Sequence, residues 1–277
     1  MIAYIDTCTV LNLLQINYDD EYIRYLEKAF DQIKLTPKVF EELNINKFEN
    51  VIDDANKDVI NNILFHRLQP FIDYDKDDDA LAFTKKYNSH CFKENGESHS
   101  IGYAIKQSRF GESDLGENLL KTHFISDDAP AKTDFDDFYY INVLGQIINS
   151  IDLMTIFWLK QYISKSSVVK YCHTLKQLYC KEVSVLLIKL RDHSSQYADN
   201  LNGKQKILIT KLIDILSNLR QDTPERVNEI LSDREFKLVL RKNKDWQSLF
   251  DKVVSSNFRE KIPYIEKRIQ DLDKVWS

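Results

Sequence analysis

Asp6 closes the apolar run Ile2-Ala3-Tyr4-Ile5, and Asp127 and Asp128 close a second one, His123-Phe124-Ile125-Ser126. Glu42 and Glu97 lie in segments that read as helices following loops. A charge at the end of a buried strand is costly without a compensating partner. Carboxylates gathered from distant parts of a chain also repel one another. Mg²⁺ or Mn²⁺ relieves both problems, taking oxygen ligands while keeping some of its own water. Such a site activates water and stabilises the charge of an in-line displacement at phosphorus. Each acid has a plainer reading as well. Glu42 fits the solvated face of an amphipathic helix, and Asp127-Asp128 fit a cap on a turn before Pro130.

Other residue types offer less. Cys8 adjoins the acids but would need a histidine partner to act as a nucleophile, and it reads as a small buried residue. The six histidines show no metal-ligand spacing, and His99, two residues after Glu97, reads as a packing or surface residue. An EF-hand loop starting at Asp73 would need Gly at its sixth position and Glu at its twelfth; Asp78 and Thr84 stand there. The run Asp73 to Asp79 therefore reads as a solvated loop that caps the next helix. There is no CxxC pair, no Gly-rich phosphate loop and no dinucleotide fingerprint.

The elements that must position the acids alternate. Ile2–Ile5 reads as a buried parallel strand, with Thr7-Cys8-Thr9 as its edge and a short helix beginning at Val10. A helix over 19–30, a strand at Ile33-Lys34-Leu35 and a helix opened by Thr36-Pro37 follow. Helices are expected over 49–66 and 79–88, with Phe71-Ile72 a candidate strand between them. Asn95-Gly96-Glu97-Ser98 opens another helix. Residues 107–118, with Gly111 and Gly116, read as a loop. His123-Phe124-Ile125 is a strand, 141–148 a last strand, and 153–163 a helix carrying Trp158. Strands alternating with helices predict a parallel sheet covered by helices. In such sheets, ligands bind outside the carboxyl ends of the strands.

The pattern changes after about residue 165. Helices are expected over 168–191, 207–219 and 224–232, with two or three more running to Trp276 and no strand. The boundary is set between 1–165 and 166–277. Net charge divides there too: 28 acidic and 17 basic residues before it, 15 and 21 after it, within a chain of 43 acidic and 38 basic residues. An acidic half suits cations and a basic half suits polyanions, although compositional drift explains the same split. Basic residues cluster at Arg234, Lys237, Arg241, Lys242 and Lys244, and at Arg259, Lys261, Lys267 and Arg268. Phe236, Trp246 and Tyr264 lie nearby, either to stack bases or to fill a helical core. With 43% apolar residues, 6 Gly and 5 Pro, disorder and a turn-rich all-β fold are excluded. The chain has no apolar run of membrane-spanning length and no basic start like a secretory signal, so a cytoplasmic location with reduced cysteines is expected.

In order, MIAYIDTCTVLNLL, LTPKVFEEL, ENGESHSIGYAI and HFISDDAPA resemble the four acidic motifs of the PIN-domain family of metal-dependent nucleases. The resemblance covers about residues 1–160. It implies an α/β fold: a PIN-like parallel sheet sandwiched by helices, here followed by an all-helical C-terminal domain. It implies a Mg²⁺- or Mn²⁺-dependent endoribonuclease, with Asp6, Glu42, Glu97 and Asp128 holding metal and Asp127 assisting or taking the place of Asp128. Thr7 and Ser126 would fix the carboxylates. RNA is expected as substrate ahead of DNA, and an antitoxin, a complex partner or a second copy as protein partner, with a toxin or defence role. The longer stretch between the third and fourth motifs and the basic helical extension depart from the minimal toxin form.

Two other classes compete. A non-catalytic PIN-like platform would bind RNA or protein within a larger complex. A phosphohydrolase working through an aspartyl phosphate would commonly need a second Asp two residues after Asp6, where Cys8 stands.

Overall fold

The computed structural model describes the chain except residues 18–19, 44–53, 76–77, 111–118, 221, 243–245, 248, 250–257 and 276–277. The described residues divide into two compact units, Met1–Tyr171 and Cys172–Ser277.

In the first unit, Ile2–Ile5 (β1), Gln32–Lys34 (β2), Thr122–Ile125 (β3) and Gly145–Ile148 (β4) form a parallel sheet in the order β2-β1-β3-β4. Ala3 pairs with Ile33 on one side and His123 on the other. All four residues of β1 are buried. Successive side chains of a strand point to opposite faces, so this central strand is covered on both. Thr7–Ile16 (α1) and Glu21–Ala29 (α2) carry the chain from β1 to β2. Pro37–Glu42 (α3), Asp54–Ile63 (α4), Asp78–Tyr87 (α5) and Gly96–Ile105 (α6) fall between β2 and β3. Ala129–Ile141 (α7) connects β3 to β4, and Ser150–Leu159 (α8) follows β4. Tyr4, Ile101, Tyr103, Phe124, Phe135, Tyr139 and Ile147 pack into one core that joins β1, β3 and β4 to α6 and α7.

The helix starts read from Thr36-Pro37 and Asn95 are present. Thr36 Oγ1 accepts a hydrogen bond from the Val39 N–H at 3.2 Å, and Asn95 Oδ1 accepts one from the Ser98 N–H at 3.1 Å.

Several expectations change. Helix α1 begins at Thr7, directly after Asp6, rather than at Val10. Phe71-Ile72 forms only a single parallel bridge, Leu35 to Ile72, behind a 3₁₀ turn at Gln69–Phe71. Leu64–Leu68 continues α4 as a π-helical turn, and Lys106–Phe110 continues α6 in the same way, where a loop was expected. Gly111, Gly116, Lys244 and Trp276 lie outside the described residues. The stretch after Asp128 is a full helix instead of a turn, because Pro130 in a first turn lacks only an N–H that a helix leaves unbonded anyway. Ile141 ends that helix, so the strand expected over 141–148 shortens to 145–148. Gly145 begins it at φ +151°, with Thr122 O only 1.9 Å from where a Cβ would lie. A residue with a side chain could not start the strand there.

In the second unit the described residues are helical: most of Lys165–Gln196 (α9), then Gly203–Ser217 (α10), Thr223–Ser232 (α11), Arg234–Lys242 (α12) and a last helix, Phe258–Asp271. Asn202 opens α10 with a reciprocal cap to Gln205. Leu190, Ile209, Leu212, Val227, Phe236, Trp246 and Ile265 are buried. Phe236 and Trp246 thus belong to a helical core and are closed to base stacking, while Tyr264 is 40% exposed. Arg234, Lys237 and Arg241 are exposed on α12. No helix among the described residues is long and apolar enough to cross a membrane.

Candidate active site

Strands β1, β3 and β4 run the same way, so Asp6, Ser126 and Asn149 leave the sheet at one edge. Helices α1, α7 and α8 start there, each one residue or a few after its strand. Their N-termini carry partial positive charge, which favours carboxylates.

Asp6 is the N-terminal flanking residue of α1 and is 5% exposed. Its Oδ2 accepts hydrogen bonds from Ser126 Oγ at 2.9 Å and from Cys8 Sγ at 3.0 Å. Burial raises its pKa above the ordinary carboxylate value and the Asp128 charge adds to the rise, while bonds from Cys8, Ser126 and the Thr7 backbone oppose it. Cys8 is half-buried, not buried as its sequence context suggested, and it donates to Asp6.

The Ser126 hydroxyl is a junction. It donates to Asp6 and accepts from the Asp128 N–H at 3.1 Å, tying the start of α1 to the start of α7. Asp128 flanks the start of α7.

Glu42 ends α3 and ties together two further elements. Its Oε2 accepts from Thr7 Oγ1 and its Oε1 from the Gly96 N–H, each at 2.8 Å. The approach requires glycine at 96. A Cβ there would lie 2.7 Å from Val39 Cγ2 and 2.8 Å from Glu42 Oε2.

Glu97, in the first turn of α6, is 8% exposed. Its Oε1 is buried and has no hydrogen-bond partner among the described residues. Burial first, then the negative charges of Asp6, Asp128 and Asp134, push its carboxyl to about 8, with Lys93 pulling the other way.

Asp127 is held differently. Its Oδ2 accepts from Asn12 Nδ2 at 2.6 Å and its Oδ1 from the Ser150 N–H at 2.9 Å. Both oxygens are engaged in joining α1 to the start of α8.

Asp6, Glu97 and Asp128 therefore share one electrostatic neighbourhood, and Thr7 and Gly96 join Glu42 to the same two helix starts. Asn12 and Asp134 were not singled out from the sequence. Asn12 had a readable signal, a lone amide inside the apolar run VLNLL, and it is 7% exposed. Asp134 had none, because the helix that carries it was not expected.

The donor set is carboxylate and hydroxyl oxygen, the chemistry of a hard divalent cation. Among the described residues, no group of three or more His, Cys, Asp or Glu side chains is drawn together closely enough to hold a metal ion. The excess negative charge fits a cation; the side chains would have to close on it.

Of the remaining candidates, His99 Nε2 and the exposed Glu94 Oε2 lie 3.1 Å apart. In the Asp73–Asp79 run, Asp73 pairs with Lys34 at 2.9 Å and Asp78 and Asp79 open α5. Asp77 lies outside the described residues.

Comparison of the chain with protein-family models, with curated proteins and with solved structures gives no match.

Proposed function

We propose that the chain is a divalent-metal-dependent nuclease that hydrolyses phosphodiester bonds in RNA, with Asp6, Glu97 and Asp128 as the residues that would hold Mg²⁺ or Mn²⁺. The observation that carries this reading is Glu97. A buried carboxyl with an unmade hydrogen bond, set near two other carboxyls, is costly to keep. A cation would turn that cost into an attraction. The order of the four motifs, which resembles the PIN-domain pattern, supports the same reading.

When bound, the ion would supply Lewis acidity toward a phosphate oxygen and lower the pKa of water near it. The chain's own residues do the rest. Ser126 and Cys8 orient Asp6 through Oδ2. Thr7 and the Gly96 N–H hold Glu42, which fixes the start of α6 and so the position of Glu97. Glu97 carries a proton at neutral pH in the free protein and would release it as cation binds, since metal ligation requires the deprotonated form. Asn12 and the Ser150 N–H anchor Asp127, which makes it a strut between α1 and α8.

One observation favours a second reading, a non-catalytic platform that binds RNA or protein: no group of three ligating side chains is preassembled among the described residues.

The deciding experiment incubates the chain with single-stranded and structured RNA, and with DNA, in Mg²⁺, Mn²⁺ or EDTA, beside Asp6→Asn. Metal-dependent cleavage that disappears in a folded Asp6→Asn variant is the expected result. A variant that cleaves like wild type removes Asp6 from the chemistry. Absence of cleavage on every substrate, together with RNA or protein binding, selects the platform.

A further inference from the structure

The turn between α5 and α6 stands apart in composition from the acid-rich half that contains it. Lys85 to Lys93 holds three lysines, His90, Tyr87 and Phe92, and no acid. Lys85, Lys86, Tyr87, His90 and Lys93 are exposed. Lys85 lies 3.8 Å from Glu94, whereas Lys86 and Lys93 pair with no carboxylate among the described residues.

The fold sets this segment beside the acidic edge. Leu81 of α5 packs on Gly102 of α6, where a Cβ would lie 2.5 Å from Leu81 Cδ2, so the end of α5 meets the start of α6. That start carries Glu97. The turn is fastened to its surroundings: Asn88 Nδ2 donates to Asp134 O at 3.2 Å, the Phe92 N–H to Asn88 O at 2.9 Å, and the Lys93 N–H to Ser98 Oγ at 3.0 Å. The Lys93 charge reaches Glu97, where it opposes the rise produced by burial. Tyr87, 59% exposed, is braced by Phe83, their ring centroids 4.6 Å apart. Lys86 Nζ lies 5.0 Å from the centre of the Tyr87 ring, and Lys85 Nζ 5.7 Å from that of Phe92.

We infer that Lys85–Lys93 is the path along which single-stranded RNA reaches the acidic edge, with Tyr87 stacking an unpaired base and Lys86 and Lys93 holding phosphates beside it. The inference rests on the reading of RNA as substrate and adds where the strand lies and why it is unpaired. A clustered set of carboxylates repels a polyanion, and lysines next to it offset that repulsion. An aromatic side chain reaches the face of a base only when the base has left its duplex neighbours. Stacking accepts every base, so this surface selects strandedness ahead of sequence.

The test is fluorescence anisotropy of the full chain with a labelled oligouridylate of about 12 nucleotides, and with an RNA duplex of the same length, in EDTA so that binding is read without cleavage. The single strand should bind more tightly than the duplex. Tyr87→Ala should weaken single-strand binding about tenfold and leave duplex binding nearly unchanged, and Tyr87→Trp should restore it. A purely structural role for Tyr87 would weaken both alike. Lys86→Gln combined with Lys93→Gln should flatten the dependence of log affinity on log salt by about 0.7 for each lysine removed. That double variant carries the test should Tyr87→Ala not fold, and circular dichroism checks every variant. Equal affinity for strand and duplex, or binding indifferent to both Tyr87→Ala and the double lysine change, overturns the inference even where the chain cleaves RNA. Stacking-dependent binding by a chain that cleaves nothing upholds the path and selects the platform over the nuclease.

Discussion

Glu97→Gln isolates the charge cost of the acidic edge, because glutamine has nearly the shape of the protonated acid and never ionises. In the folded chain Glu97 holds its proton to about 8, against 4.5 for the ordinary carboxyl. At about 1.4 kcal/mol per pKa unit, keeping it ionised in the fold costs about 5 kcal/mol, a large part of the 5–15 kcal/mol that stabilises a typical domain. The sign follows from proton counts. Between pH 4.5 and about 8 the folded state binds this proton and the unfolded state does not, so wild-type stability falls as pH rises through that window. In glutamine the dependence is gone. In chelator, the two proteins should be about equally stable at pH 4. The variant should then gain on wild type by up to about 1.4 kcal/mol per pH unit, reaching about 5 kcal/mol above pH 8. Taking the difference at each pH cancels the other titrating groups that both proteins share. Urea denaturation at five or six pH values measures it. If Mg²⁺ or Mn²⁺ is held here, adding it should close the gap, since wild type gains ligand-linked stability that the variant lacks. A difference independent of pH, or a wild type that outlasts the variant at high pH in chelator, would refute the burial argument and with it the support Glu97 gives to a cation site.

Other substitutions probe how the edge is held. Gly96→Ala places a methyl 2.7 Å from Val39 and 2.8 Å from Glu42, and should cost about 1–3 kcal/mol by overpacking, read as a lower melting temperature; an unchanged melting temperature would show that α3 and α6 can separate freely. Asn12→Leu removes the donor to Asp127 Oδ2 and should cost about 1–3 kcal/mol in chemical denaturation, the usual penalty for a buried acceptor left unmade. A neutral outcome would mean that water takes the place of the amide.

Much of the framework was legible in the sequence because it depends on local pattern. The apolar run before Asp6 could be read as a buried strand, and Thr36-Pro37 and Asn95 as helix starts, because a capping side chain meets a backbone N–H two or three residues away. The change to a helical pattern after about residue 165, which the described residues of the second half follow, was readable from local periodicity too. The stretch from Ala129 to Ile141 was not. Its proline resembles a turn signal, and its apolar positions blend into the strand that follows, so periodicity does not divide them. The left-handed turn at Val143 closes the helix, and the close approach of Gly145 to Thr122, residues 23 apart in the chain, marks where the strand starts.

The acids divide along the same line. That Asp6, Glu42, Glu97, Asp127 and Asp128 are carboxylates near strand or helix ends is a property of the sequence. How each is used is a property of the fold. Asp127 and Asp128 are neighbours of one type, yet Asp127 spends both oxygens on Asn12 and the Ser150 N–H, while Asp128 adds its charge to that of Asp6 and Glu97. Glu42 spends both oxygens on Thr7 and Gly96. Which oxygens are already bonded, and which carboxyl is buried beside which, depends on contacts between residues 23 to 120 positions apart. Local spacing carries no record of such contacts, and the parallel sheet, by ending β1 and β3 at the same edge, creates them.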